Sequence, residues 1–280
     1  MLRRRIIGAL AVAAVIVLID GFLIEPRMPV LTTYHVAIPN LPRELDGFRI
    51  VQLSDIHRRR AVPDYTIRKA VRIANSTHAD VAVLTGDFVG KGRSNIEPCF
   101  DMLARLRTRH GSYATLGNHD HWGQLDAIRA SIDKHHIKLL NNSSDEIAPG
   151  LYLVGIDDLW SGKPDLAKAF EGVDTDRAYV MLSHTPLAVD LFKGYRGLLI
   201  TGHTHGGQVQ LPFVPMERLP GLKGWKYIEG WYRVGDILMY VNRGVGMIVP
   251  PVRFRCRPEV TLYVLHRSGG SSTSVRGSRR

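Results

Sequence analysis

Two histidines flank one threonine directly after an apolar run, within residues 198–205 of this sequence. In an extended chain, residues i and i+2 point to the same side, so His203 and His205 could bind a metal together. A polar loop after a buried strand would explain an isolated pair better, because single histidines usually lie at the surface or in hydrogen bonds. Partners elsewhere in the chain must decide between a metal site and a loop.

Other short apolar runs along the chain end in residues of the same kinds. They are rich in β-formers and end in glycine or polar residues, which is typical of buried strands with functional carboxyl ends. The metal-ligand residue types that follow these runs are Asp55, His57, Asp87, Asn118, His119, Asp120, His121 and His184. Each motif alone could be a helix cap, a turn or a loop. Their occurrence after successive strands favours one site, since ligands gather beyond strand carboxyl ends in open α/β folds.

The residue types in these motifs indicate which metals the site would take. Aspartate, asparagine and histidine without cysteine suit Mn²⁺, Fe²⁺ or Zn²⁺ in an open coordination shell. The chain's two cysteines, Cys99 and Cys256, supply no cysteine-based zinc framework. There are enough candidates for two ions, which could activate a water and clamp a phosphoryl oxygen at a separation of about 3.5–4 Å. The pattern therefore predicts hydrolysis of phosphate esters.

The elements between these motifs predict an α/β fold. Apolar residues recur at helical spacing in residues 64–78 and again in residues 96–110, so strands and helices alternate in the first half. Later segments, including DILMYVNRGVG and EVTLYVLH, have strand character without obvious helices between them. We therefore expect a mixed sheet or two packed sheets.

The N-terminus predicts attachment to a membrane. Arg3, Arg4 and Arg5 precede an apolar run over residues 6–19, and residues 21–24 extend it to about the 20 residues that a bilayer requires. No small-x-small cleavage site follows, which favours an uncleaved anchor over a removed signal peptide. Because the arginines favour the cytoplasmic side, we expect an inner (cytoplasmic) membrane protein with its catalytic domain on the extracytoplasmic side.

The composition of the sequence predicts four consecutive segments. We predict a membrane anchor or signal at residues 1–27, a proline-punctuated connector with one edge strand at 28–46, one catalytic domain at 47–267, and a disordered basic Gly/Ser-rich tail at 268–280. The 280 residues carry a formal net charge of +11. That charge suits nucleic acid, an anionic membrane or a phosphate-bearing substrate, and does not choose among them.

The ordered series SDIH, TGD, GNHD, SHTP and GHTHGGQ resembles the calcineurin-like metallophosphoesterase family. The resemblance covers residues 48–208. The later segment NRGVGMIVPPVRFRCRPEVTLYVL resembles the closing segment of a bacterial subgroup of exported or membrane-attached phosphoesterases. Membership implies a four-layer α/β/β/α sandwich with two mixed β-sheets and a site for two divalent metal ions.

The family's site residues map onto this chain one by one. The resemblance implies Asp55, His57 and His205 for the first metal, Asn118, His184 and His203 for the second, Asp87 as the bridge, and His119 as the catalytic histidine. It further implies that a hydroxide shared by both ions attacks phosphorus in line with the leaving oxygen. His119 would stabilise the transition state or protonate the leaving alkoxide.

The chain departs from the family pattern at Gly90. Many family members have an aspartate there, which can pair with the catalytic histidine. The partner of His119 is therefore open among Asp120, another carboxylate and a water. His121 is additional to the motif, and we expect it to support the site or lie at the surface rather than bind metal.

Two further segments bear on the substrate. Three arginines follow His57, and we predict Arg58 as the phosphate contact because it is nearest; a solvated charged loop is the alternative. The stretch over residues 211–231 is rich in proline and contains Trp225 and Trp231. It could form a lid, a patch that enters the membrane interface, or ordinary core aromatics under a loop.

Together these features favour a membrane-facing hydrolase of a phosphodiester, pyrophosphate or phosphomonoester in an envelope or lipid molecule. A nucleotide or nucleic-acid phosphodiesterase is the alternative enzyme, although nucleic acid is the less favoured partner. A non-catalytic metal-binding scaffold is a third hypothesis, supported only by Gly90. The sequence gives no sign of an obligate protein partner.

Overall fold

Two packed β-sheets with helices on their outer faces form the body of the protein. The computed structural model describes residues 2–122, 124–219, 222–270 and 272–278. The helices are α1 (Leu2–Ile19), α2 (Asp64–Ser76), α3 (Ile96–Leu103), α4 (Asn118–His121), α5 (Leu125–Lys134) and α6 (Leu166–Ala169). The strands are β1 (Val30–Ile38), β2 (Arg49–Leu53), β3 (Val81–Thr85), β4 (Ser112–Thr115), β5 (Lys138–Leu139), β6 (Ser143–Ala148), β7 (Leu151–Gly155), β8 (Ala178–Leu182), β9 (Gly197–Thr201), β10 (Gly230–Val234), β11 (Ile237–Val241), β12 (Glu259–Arg267) and β13 (Ser274–Ser278).

Both sheets are mixed. The strand order is β13-β1-β12-β2-β3-β4-β5 in the first sheet and β10-β11-β9-β8-β7-β6 in the second. Strands β2 to β5 run parallel to one another, as do β7, β8, β9 and β11. Parallel strands end at the same edge of a sheet, so the motifs that follow β2, β3 and β4 share one edge, and those after β8 and β9 share another.

Alternating side chains of the central strands fill three separate cores. Val81 and Val83 of β3 face the second sheet, whereas Ala82 and Leu84 face the helices α2, α3 and α5. In the second sheet, Leu199 of β9 faces the outer layer that contains α6. Burial on both faces explains why these strands are continuous apolar runs rather than alternating ones. The three cores confirm the predicted four-layer α/β/β/α sandwich.

The predicted helices form, although one is shorter than expected. The apolar stripe of α2 is buried against the first sheet. Helix α3 ends at Leu103, whereas helical spacing had suggested continuation toward residue 110. The chain must turn back there because Gly111 O accepts a hydrogen bond from Ala82 N, which places the start of β4 beside β3.

The structure corrects both predictions made for the segments that flank the catalytic domain. Strand β1 lies between β12 and β13, so residues 30–38 are an internal strand of the sheet and not an edge strand in a connector. Residues 274–278, within the predicted disordered tail, form β13. The free backbone edge of β1 can pair with a segment that has no apolar pattern, which composition does not reveal. The other predicted boundaries stay predictions.

The N-terminal helical stretch is unlike the other helices because its apolar side chains are exposed. Helix α1 continues through Asp20–Ile24, and the stretch Arg3–Arg27 is long and apolar enough to cross a membrane. A signal sequence has the same length and composition.

A buried carboxylate joins the two sheets on the side of β12. Glu259 is fully buried, and its side chain accepts hydrogen bonds from Thr32 Oγ1, from Tyr240 Oη at 2.6 Å and from Arg243 Nε at 3.1 Å. Burial alone would raise the pKa of Glu259, but Arg243 and the hydroxyl donors hold that pKa below its ordinary value. Strands β1, β11 and β12 therefore meet at one charged group.

Replacing this carboxylate should destabilise the fold. We expect Glu259→Ala to lower the free energy of unfolding by about 3–5 kcal/mol, because Arg243 would lose its buried partner. Thermal and urea unfolding of the full-length protein in detergent would measure the loss. The exposed Glu171 gives a matched control, Glu171→Ala, and an equal effect of both substitutions would contradict the assigned role.

The same interaction predicts a pH dependence. The pKa of Glu259 is lower in the folded protein than its ordinary value of 4.5, so its stabilising contribution is fully present above that value. The contribution declines as the pH falls below 4.5 toward the folded pKa. The difference in unfolding free energy between the wild type and Glu259→Ala should therefore shrink in acid.

Candidate metal centre

The structure brings the predicted ligand residues together where the strands of both sheets end. Three groups made of these predicted residues have potential metal-binding atoms within 4.8 Å of one another. They are Asp55, His57 and His205; Asp87, His184 and His203; and His57, Asp87 and His119. The first group has the three residues expected at the first metal position, and the second has Asp87 with His184 and His203, two of the three residues expected at the other position. The shared members make one continuous centre.

Many of these residues have an unusual backbone conformation. The ligand candidates with left-handed φ values are Asp55 (50°), His57 (43°), Asp87 (57°), His203 (74°) and His205 (54°). Left-handed backbone costs a residue other than glycine about 1–2 kcal/mol. The left-handed turn lets the backbone leave each strand while the side chain of the ligand candidate still points into the centre. Such strain is concentrated at functional sites, where the surrounding fold maintains it.

Asp87 occupies the position between the two groups. Its Oδ2 lies 3.2 Å from His57 Nε2 and 3.3 Å from His184 Nε2. His184 Nδ1 forms a 2.7 Å hydrogen bond with Thr85 O, which fixes the ring so that Nε2 faces Asp87. His203 Nδ1 lies 3.1 Å from His184 Nε2. One carboxylate therefore contacts imidazoles that belong to both predicted metal positions.

Asp55 anchors the other side of the centre. Its Oδ1 lies 3.4 Å from His205 Nε2, and its Oδ2 accepts hydrogen bonds from Ser54 Oγ at 2.6 Å and from His203 N at 3.0 Å. The rings of His57 and His205 are 4.9 Å apart between centroids. The loops after β2 and β9 are thus joined through Asp55.

Burial and charge set the protonation of these groups. Burial lowers the pKa of His203 to about 3 and holds that of His205 well below its ordinary value, which leaves both imidazoles neutral. Burial would raise the pKa of Asp87, but His184 and His57 hold it well below its usual range. His184 differs: burial would lower its pKa, but Asp87 and Asp55 raise it to about 10, so a metal ion there would displace a proton. Neutral imidazoles and an ionised carboxylate are the forms that bind metal ions.

Several polar atoms of the centre are buried without a hydrogen-bond partner in the described part of the chain. They are His57 Nε2, Asn118 Oδ1, His203 Nε2, and both ring nitrogens of His205. His57 Nε2 and His205 Nε2 lie near carboxylate oxygens, at 3.2 and 3.4 Å, but not in hydrogen-bond geometry. Buried polar atoms in folded proteins are nearly always paired, so several unpaired nitrogen and oxygen atoms in one place need an explanation. Divalent cations would satisfy them, and the donor set without sulfur suits Mn²⁺, Fe²⁺ or Zn²⁺. The residues therefore fit the metals that the family implies.

His119 lies beside both groups but is held differently. Its backbone N donates to Asp87 Oδ1 at 2.9 Å, and its ring packs edge-on against His57 with centroids 4.7 Å apart. Trp122 covers the ring at 4.3 Å. Burial lowers the pKa of His119 to about 4. No hydrogen bond joins its ring to another side chain within the residues described, so aromatic packing orients it.

Asp120, one of the partners that the sequence allowed for His119, does not orient the His119 ring. Its fully buried carboxylate accepts hydrogen bonds from Asp87 N and Gly117 N, both at 2.8 Å, and from Phe88 N at 3.0 Å. Burial raises the pKa of Asp120 to about 7. Asp120 therefore ties the loop after β3 to the loop after β4.

The same two loops approach each other closely at a glycine. A Cβ atom at Gly117 would collide with Asp87 Oδ1, and one at Gly86 would collide with Gly117 N. Gly86 also has a φ of 82°, which favours glycine. The glycines of the TGD and GNHD motifs thus allow the backbone contact that Asp120 maintains.

Two aspartates that the sequence did not single out support the other side of the centre. His121 Nε2 lies 2.8 Å from Asp157 Oδ1, so His121 supports a neighbouring loop and does not join the ligand groups. Asp158 Oδ1 accepts from Thr185 Oγ1 at 2.9 Å, and its Oδ2 accepts from Trp160 N at 2.9 Å. Their position at the end of the β7 run, in GIDD, was the available signal.

Aromatic side chains cover the centre next to His203. Trp225 stacks on the His203 ring with centroids 5.4 Å apart, and Trp160 meets that ring edge-on at 4.3 Å. Thr204 Oγ1 donates to Ile228 O at 2.6 Å and so holds the Trp225 loop to the histidine loop. A cavity of about 230 Å³ opens there, lined by Trp160, Leu187, Lys223, Trp225, Lys226 and Tyr227 among others.

The two tryptophans of residues 211–231 have different roles. Trp225 covers the centre, as a lid residue would. Trp231 lies in β10 and packs against Tyr34 and Tyr240, with centroids 5.1 and 4.8 Å away. Trp231 is therefore a core aromatic, which was one of the three interpretations, whereas a lid role for Trp225 and a membrane contact of this stretch stay predictions.

The arginines after His57 point in different directions. The Arg58 guanidinium bonds Asp64 Oδ1 at 3.1 Å and Asn95 Oδ1 at 2.7 Å. The Arg59 side chain extends across Gly90, where a Cβ atom would lie 3.0 Å from Arg59 Cδ. Its charge contributes to the lowered pKa of His119. Gly90, where many family members have aspartate, therefore leaves room for an arginine near the catalytic position.

Removing the Asp120 carboxylate should weaken metal binding without removing a ligand. We expect Asp120→Ala to lower Mn²⁺ affinity about 10–100-fold, because the two loops would lose their common acceptor. Calorimetric titration of metal-free protein would measure it. The exposed Asp126 provides the control Asp126→Ala, and unchanged affinity in a folded Asp120→Ala protein would contradict this role.

Comparisons with known proteins agree with this geometry. A family model described as calcineurin-like phosphoesterase matches residues 48–207. The chain is 32% identical to the metallophosphoesterase YkuE of Bacillus subtilis (strain 168), over 86% of this chain and 87% of that protein. It is 29% identical to a transmembrane protein with metallophosphoesterase domain from Danio rerio, over 95% of this chain and 63% of that one.

A third relative is a bacterial pyrophosphatase. The chain is 27% identical to the UDP-2,3-diacylglucosamine pyrophosphatase LpxG of Chlamydia trachomatis serovar D, over 85% of this chain and 90% of that protein. The family match spans more than half of the 280 residues and contains the motifs whose side chains meet in the structure. The chain therefore belongs to the calcineurin-like phosphoesterase family of hydrolases.

Proposed function

We propose that this protein hydrolyses a phosphodiester, pyrophosphate or phosphomonoester bond in a membrane or envelope molecule, with two divalent metal ions per chain. The observation that supports this best is the position of Asp87, whose Oδ2 contacts His57 and His184 from two different ligand groups. A centre for two ions requires a shared carboxylate of this kind.

Each predicted residue has a role in this proposal. Asp55, His57 and His205 would hold one ion, Asn118, His184 and His203 the other, and Asp87 both. When bound, the ions would activate a water and neutralise charge on the phosphoryl oxygens. Asn118 would add a ligand oxygen without adding negative charge that repels phosphate. Mn²⁺, Fe²⁺ and Zn²⁺ all suit this donor set.

His119 would act on the substrate and not on the metals. It is the second residue of the short helix α4, lies beside Asp87 and His57, and has a ring that is only half-buried. From there an N–H of the neutral ring can donate a hydrogen bond to a phosphoryl oxygen. To pass a proton to the leaving oxygen the ring must first be protonated, which its pKa of about 4 disfavours at neutral pH. Trp122 and His57 would hold the ring at that position during turnover.

The cavity beside His203 supports an amphiphilic substrate. Trp160 and Trp225 offer apolar surface next to the metal groups, and Lys223 and Lys226 offer positive charge at the same cavity. A phosphate ester with an apolar portion close to the phosphate would suit this combination. The LpxG relative, named for a diacylated pyrophosphate substrate, supports the same class.

We propose that α1 anchors the protein in the inner membrane with the catalytic domain on the extracytoplasmic side. Arg3, Arg4 and Arg5 precede the apolar stretch, which favours a cytoplasmic N-terminus. The Danio rerio relative is itself named a transmembrane protein.

A nucleotide phosphodiesterase is the second candidate, because Trp160 and Trp225 could also stack on a nucleobase.

Separate substitutions should distinguish the catalytic residue from the bridging ligand. We expect His119→Ala to keep both ions but lose about 10²–10⁴-fold in turnover, because it removes a donor to the transition state. Asp87→Ala should lose metal as well as activity. Hydrolysis of bis-p-nitrophenyl phosphate after chelation and Mn²⁺ addition would measure activity, and elemental analysis would measure occupancy.

The exposed His110 gives the control His110→Ala for that comparison. If His119→Ala emptied the site, our division of roles would be wrong. Two bound ions without turnover of any phosphodiester, nucleotide or phospholipid, with several metals tested, would favour the non-catalytic scaffold instead.

The two arginines after His57 can be tested as a matched pair. We predicted Arg58 as the phosphate contact, but its guanidinium is bonded to Asp64 and Asn95. The Arg59 guanidinium donates through Nη2 to Met247 O at 2.7 Å, but its Nε is buried without a partner among the described residues, so part of this group can still bind phosphate. We therefore expect Arg59→Met to raise KM for the phosphodiester about 10-fold or more, since a charge-assisted hydrogen bond contributes about 1.5–3 kcal/mol. Arg58→Met should change KM less. The reverse order would restore Arg58 as the contact.

A further inference from the structure

The end of the apolar helix is fixed to the domain and is not joined to it by a flexible tether. Gly21 O accepts a hydrogen bond from Arg253 N at 2.9 Å. The buried Glu25 carboxylate accepts from Arg255 N at 2.8 Å and also from Cys256 N. The segment over residues 250–256 therefore sets the orientation of the domain relative to α1.

This segment in turn lies against the loop that follows the metal-centre histidines. Phe254 N donates to Gln208 O, and Gln210 N donates to Phe254 O, both at 2.9 Å. Ile248 N donates to Gln208 Oε1 at 2.7 Å. The helix end, residues 248–256 and the loop over residues 208–214 therefore form one connected surface.

Large apolar side chains project from this surface into solvent. Phe213 is fully exposed at 104% and Val249 is 75% exposed. We call the exposed apolar residues of the two loops the apolar tips: Leu211, Phe213, Val214, Ile248 and Val249. On the helix end, Phe22, Leu23 and Ile24 are exposed as well. Clustered exposed apolar side chains of this size mark an interaction surface.

Arginines surround the junction. Arg27 donates to Phe22 O at 3.1 Å, and Arg257 donates to Met28 O at 2.9 Å, while Arg255 is exposed. Arginines beside the end of an apolar helix are typical of the level at which lipid headgroups lie. The charge and the apolar tips together match a bilayer surface better than a protein partner.

The same segment contacts the metal-ligand loops. Gly246 N donates to Asp55 O at 2.6 Å, and Cys256 Sγ lies 3.3 Å from His205 O. Arg59 donates to Met247 O at 2.7 Å, next to the tip residue Ile248. The apolar tips and the metal centre are therefore built on one backbone framework.

We propose that the apolar tips enter the headgroup region of the membrane that α1 crosses, so that the domain sits on the bilayer with its metal centre close to the lipid surface. The occupant of this surface is the lipid bilayer itself. The inference rests on the proposed anchoring by α1 but not on the proposed hydrolysis. It means that a substrate could reach the centre without leaving the membrane interface.

Site-specific fluorescence in a bilayer would test the proposal. Cys99 and Cys256 are both fully buried, so an environment-sensitive fluorophore should attach only to an introduced cysteine. Full-length Phe213→Cys protein would be labelled and placed in nanodiscs of phosphatidylethanolamine and phosphatidylglycerol. We expect a blue-shifted emission and quenching by lipids brominated in their acyl chains.

Two matched labels make each outcome decisive. Asp176→Cys, an exposed position before β8 at the opposite end of the sheet from the ligands, should show neither effect. Val15→Cys, within α1, should be strongly quenched and reports anchoring alone. Quenching at residue 15 but not at 213 would overturn the membrane contact and leave the anchor intact. No quenching at residue 15 would overturn both, whereas loss of hydrolytic activity affects neither reading.

Discussion

Three backbone N–H groups donate to one buried carboxylate, and the metal centre depends on that arrangement. Asp120 holds the backbone at Asp87, Phe88 and Gly117, so it fixes Asp87 relative to the start of α4. The parallel strands deliver the ligand loops to one edge, but they do not set the spacing between loops. That spacing is set by the hydrogen bonds to Asp120. The Asp120 carboxylate accepts from backbone N–H groups and so holds the loops without being a candidate ligand itself.

The centre combines features that would each destabilise a protein elsewhere. Several ligand residues have left-handed backbone, and buried nitrogen and oxygen atoms lack hydrogen-bond partners. The three apolar cores and the Glu259 network offset these costs, because the strands that carry the loops are buried on both faces. Bound cations would supply the interactions that the unpaired atoms lack.

The sequence could predict the fold class, and which side chains would cluster at the strand ends, because both depend on local patterns: apolar runs followed by residue types that bind metals. Contacts between distant segments were harder to foresee. Asp120 is adjacent to His119, yet successive helical residues point about 100° apart, so one faces inward and the other faces the cleft. Arg58 is nearest to the ligands in sequence, but Asp64 and Asn95 take its guanidinium. Strand β13 forms through backbone pairing, which leaves no side-chain pattern.

The hydrogen bond from Thr204 to Ile228 connects two functions that would otherwise be independent. Thr204 separates the histidines of the two proposed metal positions, and Ile228 ends the loop that carries Trp225. A change in the position of that loop would therefore act on the backbone between His203 and His205. Filling the aromatic cavity would then change the electronic spectrum of a Co²⁺-substituted centre, because both depend on the same loop conformation.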